Sequence, residues 1–398
     1  MRVFERWAAA ASFLAASCGI ALPAHAHEGM HGHGAKAFEL GTSAAVDREG
    51  QLWIVEKESI GTDQYVAVQV SPDMGRTWSA PRRVQQSPEP VSADGENRPK
   101  IAFGKKGEIY ITYTSPLPKP YTGNIRFVRS TDGGKSFSAP LTVHANHDVI
   151  THRFDSLIVD GEGRIYVAWI DKRDEEAAKA RKQAYAGAAI YYAVSDDGGA
   201  TFKGDYKIAD HSCECCRIAL ALDPKGRPVA MWRHVFEPNI RDHAMVRLSP
   251  DGKVAAPTRV TFDNWHIDAC PHQGPALAFG PSGVRHQVWF SVHGDEGGVF
   301  YASSASAKPM RLGSAQAEHA DVAVHGRDVV LAWRQFDGKS TAIQAKLSDD
   351  GGRSWRDAEL ARTAGASDQP RLLGTASGIV LVWRTQNEGI RTVMTNRR

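Results

Sequence analysis

Four cysteines and five histidines fall within one short part of the chain, and four of the histidines are candidate ligands. Cys213, Cys215 and Cys216 form a Cys-x-Cys-Cys run inside Asp210-His-Ser-Cys-Glu-Cys-Cys-Arg217. Cys270 follows 57 residues after Cys213, in His266-Ile-Asp-Ala-Cys-Pro-His272. His211 and His272 belong to these two stretches, and His234 and His243 lie between them. Thiolates and imidazoles together suit soft or borderline ions, so the cluster predicts a site for copper, as Cu(I), or zinc. Cysteines two apart direct both sulfurs to one side only where the backbone is extended or turned, so other segments must complete the shell. The competing reading is structural. An exported chain meets an oxidising compartment, and four cysteines make an even number. A bond from Cys270 to one of the trio would staple two elements together. A second bond within the trio would close a very small, strained ring.

The N-terminus supports export. Arg2 and Arg6 precede an apolar run from Ala8 to Leu22, and Ala24-His25-Ala26 has a small-x-small cleavage pattern. That is the form of a secretory signal peptide over residues 1–26. Cys18 sits inside the apolar run, with Ala15 a poor match to a lipoprotein signal. Cleavage after Ala26 exposes a leader over 27–35 that opens His27-Glu-Gly-Met-His31-Gly-His33. Short His-rich tracts bind Cu, Ni or Zn. The expected location is periplasmic or secreted, with the signal favouring a Gram-negative periplasm. No other stretch approaches the ~20 apolar residues of a membrane helix. With 48 Lys and Arg against 45 Asp and Glu, and no basic stripe, nucleic acid is excluded as a partner. No organic cofactor is expected, and nothing names a protein partner.

What must position these residues is a repeat. Ser71-Pro-Asp73-Met-Gly75-Arg-Thr77-Trp78 has the pattern Ser-x-Asp-x-Gly-x-(Thr/Ser)-aromatic, which recurs at Ser130 to Phe137, Ser195 to Phe202 and Ser348 to Trp355. Ser249-Pro-Asp251-Gly252 is a degraded fifth copy. In such a turn the aspartate accepts bonds from turn amides, the glycine takes a left-handed backbone, and the aromatic plugs the element behind it. Short apolar strands ending in an aromatic interleave with these turns, as in Ile165 to Trp169, Pro228 to Trp232, Val329 to Trp333 and Ile379 to Trp383. Seven hairpins start near residues 45, 100, 157, 219, 277, 322 and 372. The fold class predicted over 36–398 is all-β: a β-propeller of four-stranded antiparallel blades. Seven blades are favoured over six plus an irregular hairpin. Lys36 to Leu40 is the candidate outer strand that closes the ring and removes its open edges.

With strands A to D counted from the pore outward, the A–B turns and Ser-x-Asp turns share one face, which reads as structural. The D–A and B–C loops share the other, and they carry all four cysteines and the four histidines. Loops on a rigid scaffold are where function concentrates.

The repeated turn is the Asp-box, and over residues 43–398 the chain resembles the BNR-repeat sialidases. The resemblance implies an exo-sialidase-like glycoside hydrolase acting on an acidic sugar, its site on the face opposite the boxes. Family members clamp a carboxylate with three arginines, use a tyrosine paired with glutamate as nucleophile, and use an aspartate as acid/base; sialidases are exceptions to the two-carboxylate scheme. Asn97-Arg98-Pro99 is similar to the family's Arg-Ile-Pro motif without the Ile, Arg153 and Arg371 also precede or begin inner strands, and Asp155 is the candidate acid. No tyrosine follows Tyr301, and no Glu–Tyr pair is apparent. A third reading is an interaction scaffold, for which the insert Lys172 to Gly187, rich in helix formers, would supply a projecting helix.

Overall fold

A computed structural model of the chain describes residues 40–269, 271–294 and 296–395. The signal peptide, the His-rich leader, Cys18, Cys270 and residues 36–39 of the proposed closing strand lie outside them. Seven antiparallel sheets form the blades of a β-propeller, and the alternative count of six is set aside. Their inner strands are Ser43–Val46, Lys100–Phe103, His152–Val159, Ala219–Leu222, Ala276–Phe279, Ala317–His325 and Arg371–Thr375. Each sheet grows outward in chain order. Six have four strands, and the seventh has three among the described residues. Leu40, the described residue of the proposed closing strand, is not in a strand.

The middle strands are buried on both sides because each blade is packed between two others. Every residue of Ile165–Asp171 and Ala188–Ser195 is buried. Trp169, Trp232, Trp289 and Trp383 are fully buried at equivalent positions of their blades, where truncation to alanine costs about 3–5 kcal/mol. Blades 1 and 7 meet through a core containing Leu52, Ile54, Val380 and Val382. Arg98 locks the same junction: its guanidinium holds Asp368 at 2.7 and 2.8 Å and donates to the Thr42 carbonyl at 3.0 Å. The Thr42 amide also donates to Asp368, at 3.0 Å.

The four complete Ser-x-Asp turns share one network. At the first, Ser71 donates to Asp73 at 2.8 Å, the Gly75 amide donates to the Ser71 hydroxyl at 2.6 Å, and the Thr77 amide and hydroxyl both donate to Asp73 at 2.8 Å. The glycine at the fifth position of the motif has positive φ in all four, +81° at Gly199. A Cβ there would come within 2.4 Å of the Phe127 ring, so only glycine lets the turn sit against the preceding blade.

The insert after Asp171 is helical over Arg173–Ala180 alone, shorter than the sequence reading of 172–187. Asp171 anchors its start by accepting from the Arg173 amide and side chain, and Asp174, Glu175 and Glu176 suit the positive end of the helix. Lys182 takes φ +56°, and Tyr185 bonds Asp210 at 2.8 Å, tying the remainder down as an irregular strap.

The turn aspartates set the acid limit of the fold. The Thr77 amide, with the Thr77 and Ser71 hydroxyls, holds the Asp73 carboxyl down to about 2. The Ser136 hydroxyl and amide hold Asp132 well below the usual carboxylate range, the Thr201 network holds Asp197 there against the raising effect of burial, and the Ser354 network does so for Asp350. A folded-state pKa below the unfolded value near 3.9 contributes stability above that pH, and the contribution is lost as pH falls through the folded value. Melting temperature should therefore fall steeply below about pH 4. Asp132→Asn should lower it at pH 7 and reduce the acid drop.

Candidate functional site

The Cys-x-Cys-Cys loop joins the outer strand of blade 3, Lys203–Ser212, to the inner strand of blade 4. Blade 4 catches it from one side. The Cys213 amide donates to the Arg233 carbonyl at 2.9 Å, and the Val235 amide donates to the His211 carbonyl at 2.7 Å. Residues 211–213 thus run antiparallel to 233–235, the continuation of the blade's second strand. On the other side the Arg217 amide donates to the Glu96 carboxylate at 2.7 Å. Pinned at both ends, the loop turns its sulfurs into the core between blades 3 and 4, beside Trp232, Ala244, Ile218 and Ala188.

Cys213, Cys215 and Cys216 are 2–5% exposed, and their sulfurs lie within 4.8 Å of one another. Cys213 Sγ is 3.3 Å from Cys216 Sγ and 3.8 Å from Cys215 Sγ, beyond the ~2.05 Å of a disulfide. A tetrahedral ion with metal–sulfur bonds of ~2.3 Å holds its sulfurs about 3.8 Å apart, so the spacing is already close to that of a bound ion. The contact with Cys213 pushes the Cys216 thiol well above its usual range; Cys215 opposes this, burial adds to it, and Arg233 also opposes it. Arg233 is 1% exposed and is the cation beside the thiols. It is fixed by the Arg241, Gln273 and Phe290 carbonyls and by the Trp265 ring, while its Nε has no hydrogen bond.

The predicted histidines divide. His243, fully buried and paired with Arg233 across adjacent strands, is the one whose charge interacts with Cys213. Its Nδ1 is 3.3 Å from the Thr261 hydroxyl, which itself donates to Asp242, so the ring proton belongs on Nδ1. That leaves the lone pair on Nε2, which is buried without a hydrogen bond. Burial first, then Arg233, holds the ring far below its ordinary pKa and therefore neutral, the form that binds metals. His234 pairs instead with His211. Burial and that neighbour bring it down to about 4. His211 spends Nδ1 on the Ala186 carbonyl. His272 is exposed, with φ +52°. Among the described residues, none of the four histidines joins the 4.8 Å cluster of thiols.

Of the three arginines expected to form a clamp, Arg98 and Arg371 lie near enough for their charges to interact, while Arg98 and Arg153 are already paired with carboxylates. Arg98 is saturated by Asp368 and the Thr42 and Gly95 carbonyls. Arg153 pairs with Asp94 at 2.9 Å near the rim. Arg371 reaches the pore, where it makes no hydrogen bond or ion pair among the described residues, and burial with the nearby Arg217 lowers its pKa to about 10. Asp155 is 1% exposed and accepts from Thr112 at 2.6 Å and Thr114 at 3.3 Å; burial raises its pKa against the pull of Lys100. A Tyr–Glu pair does exist, Tyr113 with Glu89, but it lies within the blade 1–2 core, away from Arg371. Burial and the glutamate push that phenol well above its usual range, the opposite of a nucleophile.

Sequence reasoning missed the groups that assemble the site. Glu96 is buried, and its Oε2 accepts from the amides of Arg217 and Gly274 at 2.7 and 3.0 Å, joining the loop after Cys216 to the loop that follows position 270. Arg217 donates onward to the carbonyls of Pro275 and Ala320. A Cβ on Gly274 would lie 2.5 Å from Arg217 Cγ and 2.7 Å from Glu96 Oε2, so the two loops meet only with glycine there. The available signal was Asp94-Gly-Glu-Asn-Arg98, an acidic loop that leads into an inner strand on the same face as the cysteines.

No family model matches the chain, and no curated protein matches it. Solved propellers do. An ulvan lyase, a polysaccharide lyase, is similar with TM-score 0.55 and 11% identity over 88% of this chain and 90% of that one. A protein of unknown function from Dyadobacter fermentans aligns with TM-score 0.49 and 18% identity, covering 80% and 93%. The NanB sialidase from Streptococcus pneumoniae aligns with TM-score 0.48 and 8% identity, covering 89% and 68%. At these identities the likeness is one of fold, the β-propeller.

Replacing Glu96 with Gln keeps its shape and removes the charge that Arg217 faces. Breaking a buried pair in this way should cost about 3–5 kcal/mol, measured as a shift in the denaturant midpoint.

Proposed function

We propose that this chain is an exported Asp-box propeller that binds a thiophilic metal ion, Cu(I) or Zn(II), through the thiolates of Cys213, Cys215 and Cys216. The observation that carries the reading is the convergence of three buried sulfurs within 4.8 Å. His243, whose charge interacts with Cys213 and whose Nε2 makes no hydrogen bond, is the nitrogen candidate for a further position, and Arg233 offsets the negative charge of the thiolates. His211, His234 and His272 belong to the same two blades and would extend the site, as would Cys270 by its position in the sequence. Signal peptide, His-rich leader and buried thiols together favour periplasmic metal handling, in which the ion also protects the thiols from oxidation.

Metal binding requires thiolates, so it releases protons, and affinity should fall as pH falls. The protein isolated without chelator, with thiols reduced, should carry close to one ion per chain. Cys213→Ser, Cys215→Ser and Cys216→Ser in combination should abolish it while the fold persists. His243→Gln should weaken binding by about 10–100-fold, within the range seen for altered metal environments. Full thiol oxidation in folded, metal-free protein would make the cysteines structural.

A second reading is a glycoside hydrolase or lyase acting on an acidic sugar. It is favoured by Arg371, uncommitted beside the buried Asp155 and Lys100, whose pKa burial lowers to about 7. Ionisable groups perturbed in this way gather at active sites. Release of 4-methylumbelliferone from a sialoside, lost in Arg371→Ala and retained in the cysteine variant, would establish it.

A further inference from the structure

The opposite face of the propeller, read from sequence as structural, holds a break in the repeat. In the complete Ser-x-Asp turns the terminal aromatic packs onto the preceding blade. Phe202 meets Phe127 at 5.0 Å between centroids, and Trp355 meets Tyr301 at 5.2 Å. The turn of blade 4 starts normally, with Ser249 bonded to Asp251, and then continues Lys253-Val254-Ala255-Ala256. Alanine stands where the other turns have their aromatic. Tyr206 of blade 3 fills part of the space, so close that a Cβ on Gly252 would lie 2.3 Å from its ring. Beside this turn lies a cavity of about 310 Å³ between blades 3 and 4, lined in part by Ser249, Lys253 and Ala255.

Its lining is basic. Arg164, Arg227, Arg247 and Lys253 all contribute, together with Tyr166. Arg164 and Arg227 follow matching turns of the two blades, which are pressed together where the Gly161 amide donates to the Gly226 carbonyl at 2.7 Å. A Cβ on Gly161 would lie 3.0 Å from the Gly226 Cα, so two glycines are what bring the arginines side by side. Three carboxylates face the four cations. Asp160 pairs with Arg164, Asp251 with Lys253, and Asp223 is shared by Arg227 at 2.8 Å and Arg247 at 3.3 Å. Asp160 and Asp223 also accept turn amides, so their charge is divided further. The Tyr166 side chain is fully buried at the wall, its hydroxyl lying against Asp160 and Arg164. Burial, with Asp160, raises its pKa to about 12, so the phenol stays protonated at neutral pH and can donate a hydrogen bond.

We infer that this cavity is a binding site for a tetrahedral oxyanion, the phosphate or sulfate group of a small molecule, held by Arg227, Arg247 and Arg164 with a hydrogen bond from Tyr166. Guanidinium groups suit such oxygens because they donate in pairs, and the shared Asp223 leaves one cation in excess. The site lies on the other face from the cysteines and is independent of the metal reading.

Isothermal titration of the purified protein with inorganic phosphate, inorganic sulfate and acetate, in low-salt buffer, tests it. Saturable binding of phosphate or sulfate is expected, weaker with added salt, and the tighter of the two identifies the ester class. Arg247→Met, a half-exposed side chain, should weaken binding about tenfold or more. Ala255→Phe should block it by filling the cavity, Tyr166→Phe should weaken it with the fold intact, and Cys213→Ser should leave it unchanged. No saturable binding of either ion, equal binding of acetate, or unaltered affinity in folded Arg247→Met protein would overturn the assignment.

Discussion

The Glu96 carboxylate is the contact on which the cysteine face depends. It belongs to the loop leading into blade 2, yet it accepts amides from the segments leading into blades 4 and 5. It therefore spans the pore mouth and fixes loops far apart in the chain against each other. A buried carboxylate is costly unless charge and hydrogen bonds compensate it. Arg217 and His319 supply that compensation: against the raising effect of burial, they hold the carboxyl well below its usual range. Arg217 passes the constraint on to Pro275 and Ala320, and so to blades 5 and 6. The Cys-x-Cys-Cys loop is clamped between this axis contact and Arg233, which lets three sulfurs crowd together inside an otherwise apolar core.

The propeller was legible because its parts repeat. Each Ser-x-Asp turn encodes a hydrogen-bond network within eight residues, and each buried second strand announces itself as an apolar run closed by an aromatic. The proximity of Cys213, Cys215 and Cys216 was legible for the same local reason. The long-range groups were not. Arg98 and Asp368 are 270 residues apart, and an arginine that completes a salt bridge reads in sequence like an arginine awaiting a substrate. Tyr113 and Glu89 join through blade packing that no spacing reveals. His243 differs from His211 and His234 through burial and the Thr261–Asp242 relay, neither of which is written in its neighbours.

The same repeat shows how a regular scaffold acquires special sites. Where blade 3 hands over to blade 4, one end of the junction carries the thiols and the other the basic cavity. The cysteine loop sits beside Trp232 in the shared core, while at the opposite face Ala255 and Ala256 follow an incomplete turn. Two departures from the repeat meet at this junction, and among the described residues the strands Ile165–Asp171, Ala188–Ser195 and Pro228–Arg233 that flank it are buried along their whole length. Rigid strands fix the separation of the two ends, so each can be specialised without disturbing the other.

The central claim is that the three buried thiols bind one ion directly. X-ray absorption at the metal edge of the loaded protein measures this. The account predicts a first shell dominated by sulfur at ~2.3 Å, with three sulfur scatterers, reduced to fewer in Cys215→Ser protein. A shell of nitrogen and oxygen alone, or reduced, folded protein that takes up neither copper nor zinc, would contradict it.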